Sequence, residues 1–224
     1  MLTRTEISEI AQHSRKLVGD LALTEMAVPS YTHSNPLVRW IIKERLRQIA
    51  TLIRSAGYRR ILDFGCGLGL LAHELKSDVD CLFLVDVEPA PARFVVDYFE
   101  ISNARVLTPH EAAVVPDHEV DCVVAADVLE HFASNEELIA QLRVLQGKLR
   151  PSGVLLLSGP TENGAYRFAR KIAGFTGGYH HRDVYDIENT LAENSWAPAG
   201  HRSALPSWSP VKLFRVSGWR APAQ

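Results

Sequence analysis

The chain has 224 residues, 46% of them hydrophobic and 22% charged. These globular proportions exclude a disordered, collagen-like or low-complexity protein and suit one well-buried domain. Lys and Arg number 24 against 26 Asp and Glu, a formal net charge of -2, which argues against a dedicated polyanion binder while leaving room for a local basic patch, so no nucleic acid is expected as partner. The three cysteines, Cys66, Cys81 and Cys122, are spaced for neither a zinc knuckle nor a disulfide framework and indicate a reducing, cytoplasmic setting. Acidic residues stand where a signal peptide would be apolar, and no window reaches the roughly 18 apolar residues of a membrane span, so any membrane contact is expected to be peripheral.

In chain order, residues 3–27 carry a weak helical pattern, and 27–36 (AVPSYTHSNP) reads as a polar connector with two prolines. Residues 35–57 predict an amphipathic helix: Val38, Ile42, Leu46, Ile49 and Ile53 share a stripe, Arg39, Lys43 and Arg47 oppose it, and Gly57 ends it. From residue 60 short apolar runs alternate with helical stretches, the pattern of βαβ units around a parallel sheet. Strands are expected at 60–64, 81–87, 104–107, 121–127 and 153–159. Ser134 and Glu137 predict a capping box, followed by Leu138, Leu142, Leu145 and Leu149 at helical spacing. A helix over 183–194 and an alternating final strand at 213–219 complete the reading. The expected fold is therefore α/β, a Rossmann-like doubly wound and mostly parallel sheet with an antiparallel last strand, preceded by N-terminal helices.

The stretch RRILDFGCGLGLLAHEL (59–75) runs from strand to helix through Gly65, Gly67 and Gly69. Glycines in such a turn let the backbone approach a ligand closely. The spacing is G-x-G-x-G rather than G-x-G-x-x-G, and Asp63 precedes it at the strand end. A carboxylate there would repel a pyrophosphate and attract an ammonium or sulfonium, so the expected ligand is cationic and a nicotinamide oxidoreductase is disfavoured. Asp86 ends the second strand, about 20 residues past the first glycine, where a carboxylate can accept hydrogen bonds from ribose hydroxyls.

Over residues 59–159 these motifs resemble the class I S-adenosylmethionine-dependent methyltransferases, whose first motif is an acid followed by G-x-G-x-G. The resemblance also includes the DVLEHF ending of the fourth strand and the LRPSGVLLLSG turn into the fifth. It implies S-adenosyl-L-methionine as cofactor, with Asp63 near the methionine amino group, Gly65, Gly67 and Gly69 under methionine and ribose, Asp86 on the ribose and Val87 against adenine. The family's adenine-edge aspartate has no clear match; His110 or Glu111 stands there instead.

Ligands of open α/β sheets bind beyond the carboxyl ends of the strands, where Asp127, counted with the cofactor-binding residues, is followed by Glu130 and His131. In a helical turn their spacing would project all three side chains from one side, able to position a general base or to bind a divalent cation. D-V-L-E-H is similar to the E-x-x-E-H of metal-dependent O-methyltransferases of quinone biosynthesis and of small-RNA 3' ends, a likeness that implies Asp127, Glu130 and His131 as metal ligands completed by a distant residue, for which His180 or His181 is the candidate; two carboxylates and an imidazole with no thiolate nearby favour Mg2+ as the ion. The alternative is that Glu130 and His131 cap or pack the turn. His131 is the first candidate base, and His180 or His181 the second.

Residues 159–186 are too long for a simple connection. A helical lid is expected over about 160–182, with Phe168, Ala169, Ile172 and Ala173 on one stripe, Arg167, Arg170 and Lys171 beside it, and Gly174, Gly177 and Gly178 ending it. The domain reading is thus 1–58 as a helical extension packed on a methyltransferase domain of 59–224. The expected function is methyl transfer to a small-molecule acceptor at oxygen, nitrogen or carbon, the alternative being a non-catalytic cofactor-binding partner subunit; the sequence is silent on oligomeric state.

Overall fold

The computed structural model describes residues 2–164, 166–167, 181–205 and 212–222. The chain divides into two compact units, Met1–Val114 and Val115–Gln224. The expected lid stripe of Phe168, Ala169, Ile172 and Ala173, its neighbours Arg170 and Lys171, its glycines and His180 lie outside the described residues.

The first unit opens with α1 (Arg4–Glu25), started by a capping box between Thr3 and Glu6 and interrupted at Gly19, whose φ of 80° is non-helical. That interruption is why the helical pattern in the sequence is weak. The expected polar connector is instead partly folded: Val28–Thr32 forms the short helix α2, and Val28 and Tyr31 are buried. Two apolar side chains four residues or fewer apart on one turn give this segment something to bury despite its polar composition. Helix α3 (Pro36–Ala56) has Asn35 as N-cap, Pro36 in its first turn and Gly57 as a left-handed C-cap. Ile42, Leu46, Ile49 and Ile53 of the expected stripe are all buried.

Three parallel strands follow, β1 (Arg60–Phe64), β2 (Cys81–Val85) and β3 (Ala104–Leu107), separated by α4 (Leu70–Leu75) and α5 (Ala90–Tyr98). Their order is β3-β2-β1, with Asp63 opposite Leu84 and Phe64 opposite Val85. Ile61, Leu62, Leu82, Phe83 and Leu84 are buried as consecutive runs, as expected of parallel strands covered on both faces. Helix α1 packs on α5 through His13, whose ring stacks on Phe94 at 3.8 Å between centroids.

In the second unit β4 (Val120–Ala126) leads through a single 3-10 turn, Leu129–His131, to α6 (Asn135–Lys148), β5 (Leu149–Pro160), α7 (Val184–Glu193), β6 (Ala197–Leu205) and β7 (Phe214–Arg220). The order is β4-β5-β7-β6, parallel between β4 and β5 and antiparallel for the last two pairs. The architecture is the expected Rossmann-like α/β fold, with one strand more. Strand β6 escapes sequence reading because Pro198 and Gly200 break its alternation, and its register with β7 shifts between Pro198 and Arg202. The predicted capping box of Ser134 and Glu137 is present. Leu149, expected to extend the helical stripe, is the C-cap of α6 and opens β5 opposite Val120.

No helix among the described residues is long and apolar enough to cross a membrane. The three cysteines are free.

One glycine sits in the irregular stretch of β5 between Leu149 and Val154, where its register with β4 shifts. A Cβ on Gly153 would stand 2.9 Å from Leu149 Cδ2, 3.0 Å from the Arg150 carbonyl and 3.1 Å from the Asp121 carbonyl. Because two of these are backbone atoms, Gly153→Ala is expected to destabilise the fold by about 1–3 kcal/mol. Thermal unfolding checks this; an unmoved midpoint would mean that this stretch of β5 relaxes freely.

Candidate functional site

The glycine loop of the first unit is built by hydrogen bonds from its neighbour strand. Gly65 and Cys66 N–H both donate to the Val85 carbonyl, at 2.8 and 3.2 Å, and Gly69 N–H donates to the Cys66 carbonyl at 2.9 Å. Gly65, Gly67 and Gly69 have φ of 75°, 53° and 73°, the left-handed region that side chains resist. At Gly69 space is also short, since a Cβ would lie 3.4 Å from Ala92 Cβ.

The second strand stops at Val85, before the expected residue 87, because the Asp86 carboxylate is turned to the loop. Its Oδ2 accepts from Gly67 N–H at 2.8 Å and its Oδ1 from Glu88 N–H at 3.0 Å. Each oxygen keeps acceptor capacity for a further donor such as a ribose hydroxyl. Val87, next in sequence, is 76% exposed. Glu111 is engaged locally: it accepts from Thr108 N–H at 2.8 Å and lies 3.5 Å from Arg93, while His110 is exposed.

Asp63 is buried at 3% exposure. Burial, and then the nearby Asp86 carboxylate, push its carboxyl up to about 7. A second acid beside a buried first one is unfavourable until a cation joins them, so the donor set suits an ammonium or sulfonium and not a phosphate. Burial followed by the Asp63 and Asp86 charges also pushes the Cys66 thiol up, which keeps it protonated and unsuited to nucleophilic work.

Three neighbours of this cradle carry no motif. A Cβ on Gly67 would meet Met26 Cβ and Cγ at 3.6 Å, so the end of α1 covers the loop. The buried Tyr31 hydroxyl receives a long 3.5 Å contact from Arg45 Nη2. Burial raises the Tyr31 phenol pKa, Arg45 opposes the shift, and the Asp63 charge adds to it. Arg45 is 3% exposed. Its signal was legible: it falls three residues after Ile42 and four before Ile49, on the apolar stripe of α3.

In the second unit the segment after β4 does not form the expected helical turn. Asp127 has φ of 53°; its N–H donates to the Ser158 carbonyl at 3.0 Å and its Oδ1 accepts from the Ser158 hydroxyl at 3.2 Å. Glu130 is fully buried at 0% exposure, whereas His131 is exposed. The three side chains therefore do not share one side, because the left-handed residue and the 3-10 turn replace the 3.6-residue period that would have aligned them. Among the described residues no group of three or more His, Cys, Asp or Glu is placed to hold a metal ion, and the candidate Mg2+ site of Asp127, Glu130 and His131 has no support in these residues. The side chain of His181 is exposed, and its N–H donates to the Glu130 carbonyl at 3.0 Å.

A glycine-loop strand-to-helix turn with an acid before it and an acid after the next strand, in a Rossmann-like fold with antiparallel last strands, defines a class I S-adenosylmethionine-dependent methyltransferase. The chain belongs to the methyltransferase domain family, which matches residues 31–219. A ubiquinone biosynthesis O-methyltransferase of Azorhizobium caulinodans is 29% identical over 127 residues, 54% of this chain and 48% of that protein. The chain spans about half the length of the curated relatives it matches. In fold it is similar to the magnesium protoporphyrin IX methyltransferase of Synechocystis PCC 6803 with bound S-adenosylhomocysteine, at TM-score 0.67 and 17% identity over 95% of this chain and 100% of that one. It is also similar to the N-methyltransferase NodS of Bradyrhizobium japonicum WM9, at TM-score 0.65 and 17% identity over 91% of this chain and 100% of that one.

The raised Asp63 carboxyl generates a pH prediction. In the free protein it holds a proton up to about pH 7 that the unfolded chain has already released, so its contribution to stability falls as pH rises from about 4 to 7. A bound ammonium favours the ionised form, so binding expels that proton. The affinity for S-adenosylhomocysteine should rise about tenfold between pH 5.5 and 7.5, and Asp63→Asn should remove the slope. Calorimetry across pH checks this; a flat wild-type profile contradicts the carboxyl assignment. Asp86→Ala should weaken the same binding by about 1–3 kcal/mol, since it removes an ionic acceptor and frees the Gly67 N–H. Unchanged affinity would place the ribose elsewhere.

Proposed function

We propose that this chain transfers the methyl group of S-adenosylmethionine to an oxygen of a small-molecule acceptor. The observation that supports it most is the pair Asp63 and Asp86 on the glycine loop, the first pushed up to about 7 by burial and by the second. Such a pair selects a cationic, ribose-bearing cofactor. The oxygen as acceptor atom is supported by the curated relatives, which carry the name of ubiquinone biosynthesis O-methyltransferases.

When bound, the cofactor supplies an activated methyl on a sulfonium, so the protein's work is orientation, exclusion of water and handling of one proton. We assign Asp63 to the amino group, Gly65, Gly67 and Gly69 to close backbone approach, Asp86 to the ribose, and Val87 to the adenine face. Asp127 is assigned to the cofactor side of the turn after β4. His131 is assigned as the base that takes the acceptor hydroxyl proton, and its exposure lets it return that proton to solvent. His181 is the second candidate, and His180, outside the described residues, shares that rank. We also assign residues 1–58 to a helical extension and 59–224 to the methyltransferase domain, with an insertion at about 160–182.

The purified chain with S-adenosylmethionine and a soluble catechol should release S-adenosylhomocysteine, and with a primary amine it should not. Binding without release from either would replace the enzyme by a cofactor-binding partner subunit. His131→Ala should lower turnover on the catechol by about 10²–10⁴-fold while leaving the thermal midpoint unmoved, because an exposed ring has little packing to lose. A midpoint that falls with turnover preserved would make His131 a structural residue.

A further inference from the structure

The turn after β4 is short and is tied to distant segments of the second unit. It is a single 3-10 turn in which His131 N–H donates to the Val128 carbonyl at 3.2 Å, and it exits into extended backbone at Phe132. Turns of this length have poor hydrogen-bond geometry and depend on their surroundings. Its start is pinned to β5 through Asp127 and Ser158. Its far side is pinned by two residues from elsewhere in the second unit. His181 N–H donates to the Glu130 carbonyl at 3.0 Å, Arg182 Nε–H donates to the Phe132 carbonyl at 3.0 Å, and Arg182 Nη1–H donates to Asn135 Oδ1 at 2.7 Å.

We infer that Arg182 is a positioning residue: its guanidinium fork clamps the exit of the 129–131 turn and thereby sets where His131 stands. A planar fork fits this task, since one rigid group reaches a backbone carbonyl and a first-turn side chain of α6 together, which an ammonium does not. The clamp has a fixed base. Arg182 directly precedes Asp183, the N-cap of α7, whose carboxylate accepts from Tyr185 and Asp186 N–H. Helix α7 is itself held by buried Val184, Ile187 and Leu191 and by the Arg215–Glu188 pair at 2.6 Å. Gly159 lets it sit close on β5, since a Cβ there would lie 3.3 Å from Val184 Cβ. The end of the long connection after β5 thus holds the turn that carries the assigned base.

The inference rests on the proposed function only in calling His131 a base; the clamp itself is tested without cofactor or acceptor. In the full chain, Arg182→Ala should accelerate hydrogen exchange of the amides of residues 129–133 about tenfold, with β4 and β5 unchanged. Arg182→Lys and Asn135→Ala should give intermediate acceleration, and Asn135→Ala decides the matter if Arg182→Ala does not fold. Unchanged exchange at 129–133, or equal acceleration throughout β4 and β5, would overturn the clamp. With the catechol as probe, Arg182→Ala should lower kcat while leaving the affinity for S-adenosylhomocysteine within about twofold. A wild-type chain without turnover would defeat the functional reading and leave the exchange result standing.

Discussion

The hydrogen bond from Gly67 N–H to the Asp86 carboxylate is the constraint on which the first unit's site depends. It joins the loop after β1 to the end of β2, and it forms only because these strands run parallel in the register that sets Phe64 opposite Val85. Parallel pairing brings both strand ends to the same edge, so the two acids that close the strands meet there. The left-handed backbone at Gly67 aims its N–H at the carboxylate. Loop geometry, and the ribose recognition proposed for this site, are in this way carried by one carboxylate.

The same arrangement explains why the site is costly in the free protein. Two carboxylates gather where water is largely excluded, and Asp63 meets the conflict by holding its proton to about pH 7. The surrounding elements deepen the burial: Met26 lies against Gly67, and Tyr31 is packed under α3 beside Arg45. The N-terminal segment is therefore part of the cradle's wall, and its short helix α2 exists because Val28 and Tyr31 have a buried place to go.

The second unit solves a different problem. At the end of β4 a left-handed aspartate and a 3-10 turn send Glu130 inward and His131 outward. The turn is hydrogen-bonded to Ser158 on one side and to Arg182 on the other. Local backbone strain at such a turn is tolerated because the packed strand and helix that flank it over-determine its position.

Much was legible without coordinates. Periodicity located α3, β1 to β5, the crossover helix with its Ser134 cap and the last strand, because those patterns are local and the chain's burial follows them. The glycine loop, with Asp63 before it and Asp86 after the next strand, was legible as a local pattern, and the structure brings Asp86 onto Gly67 and Asp63 near Asp86. What the sequence could not decide was which residues meet at long range. Strand β6 was hidden by Pro198 and Gly200, and Arg182 carried no motif. The spacing of Asp127, Glu130 and His131 was read with a helical period that a single left-handed residue cancels. Local pattern determines which element forms; packing and hydrogen bonds between distant segments determine which face of it a side chain occupies, and only the tertiary structure contains those.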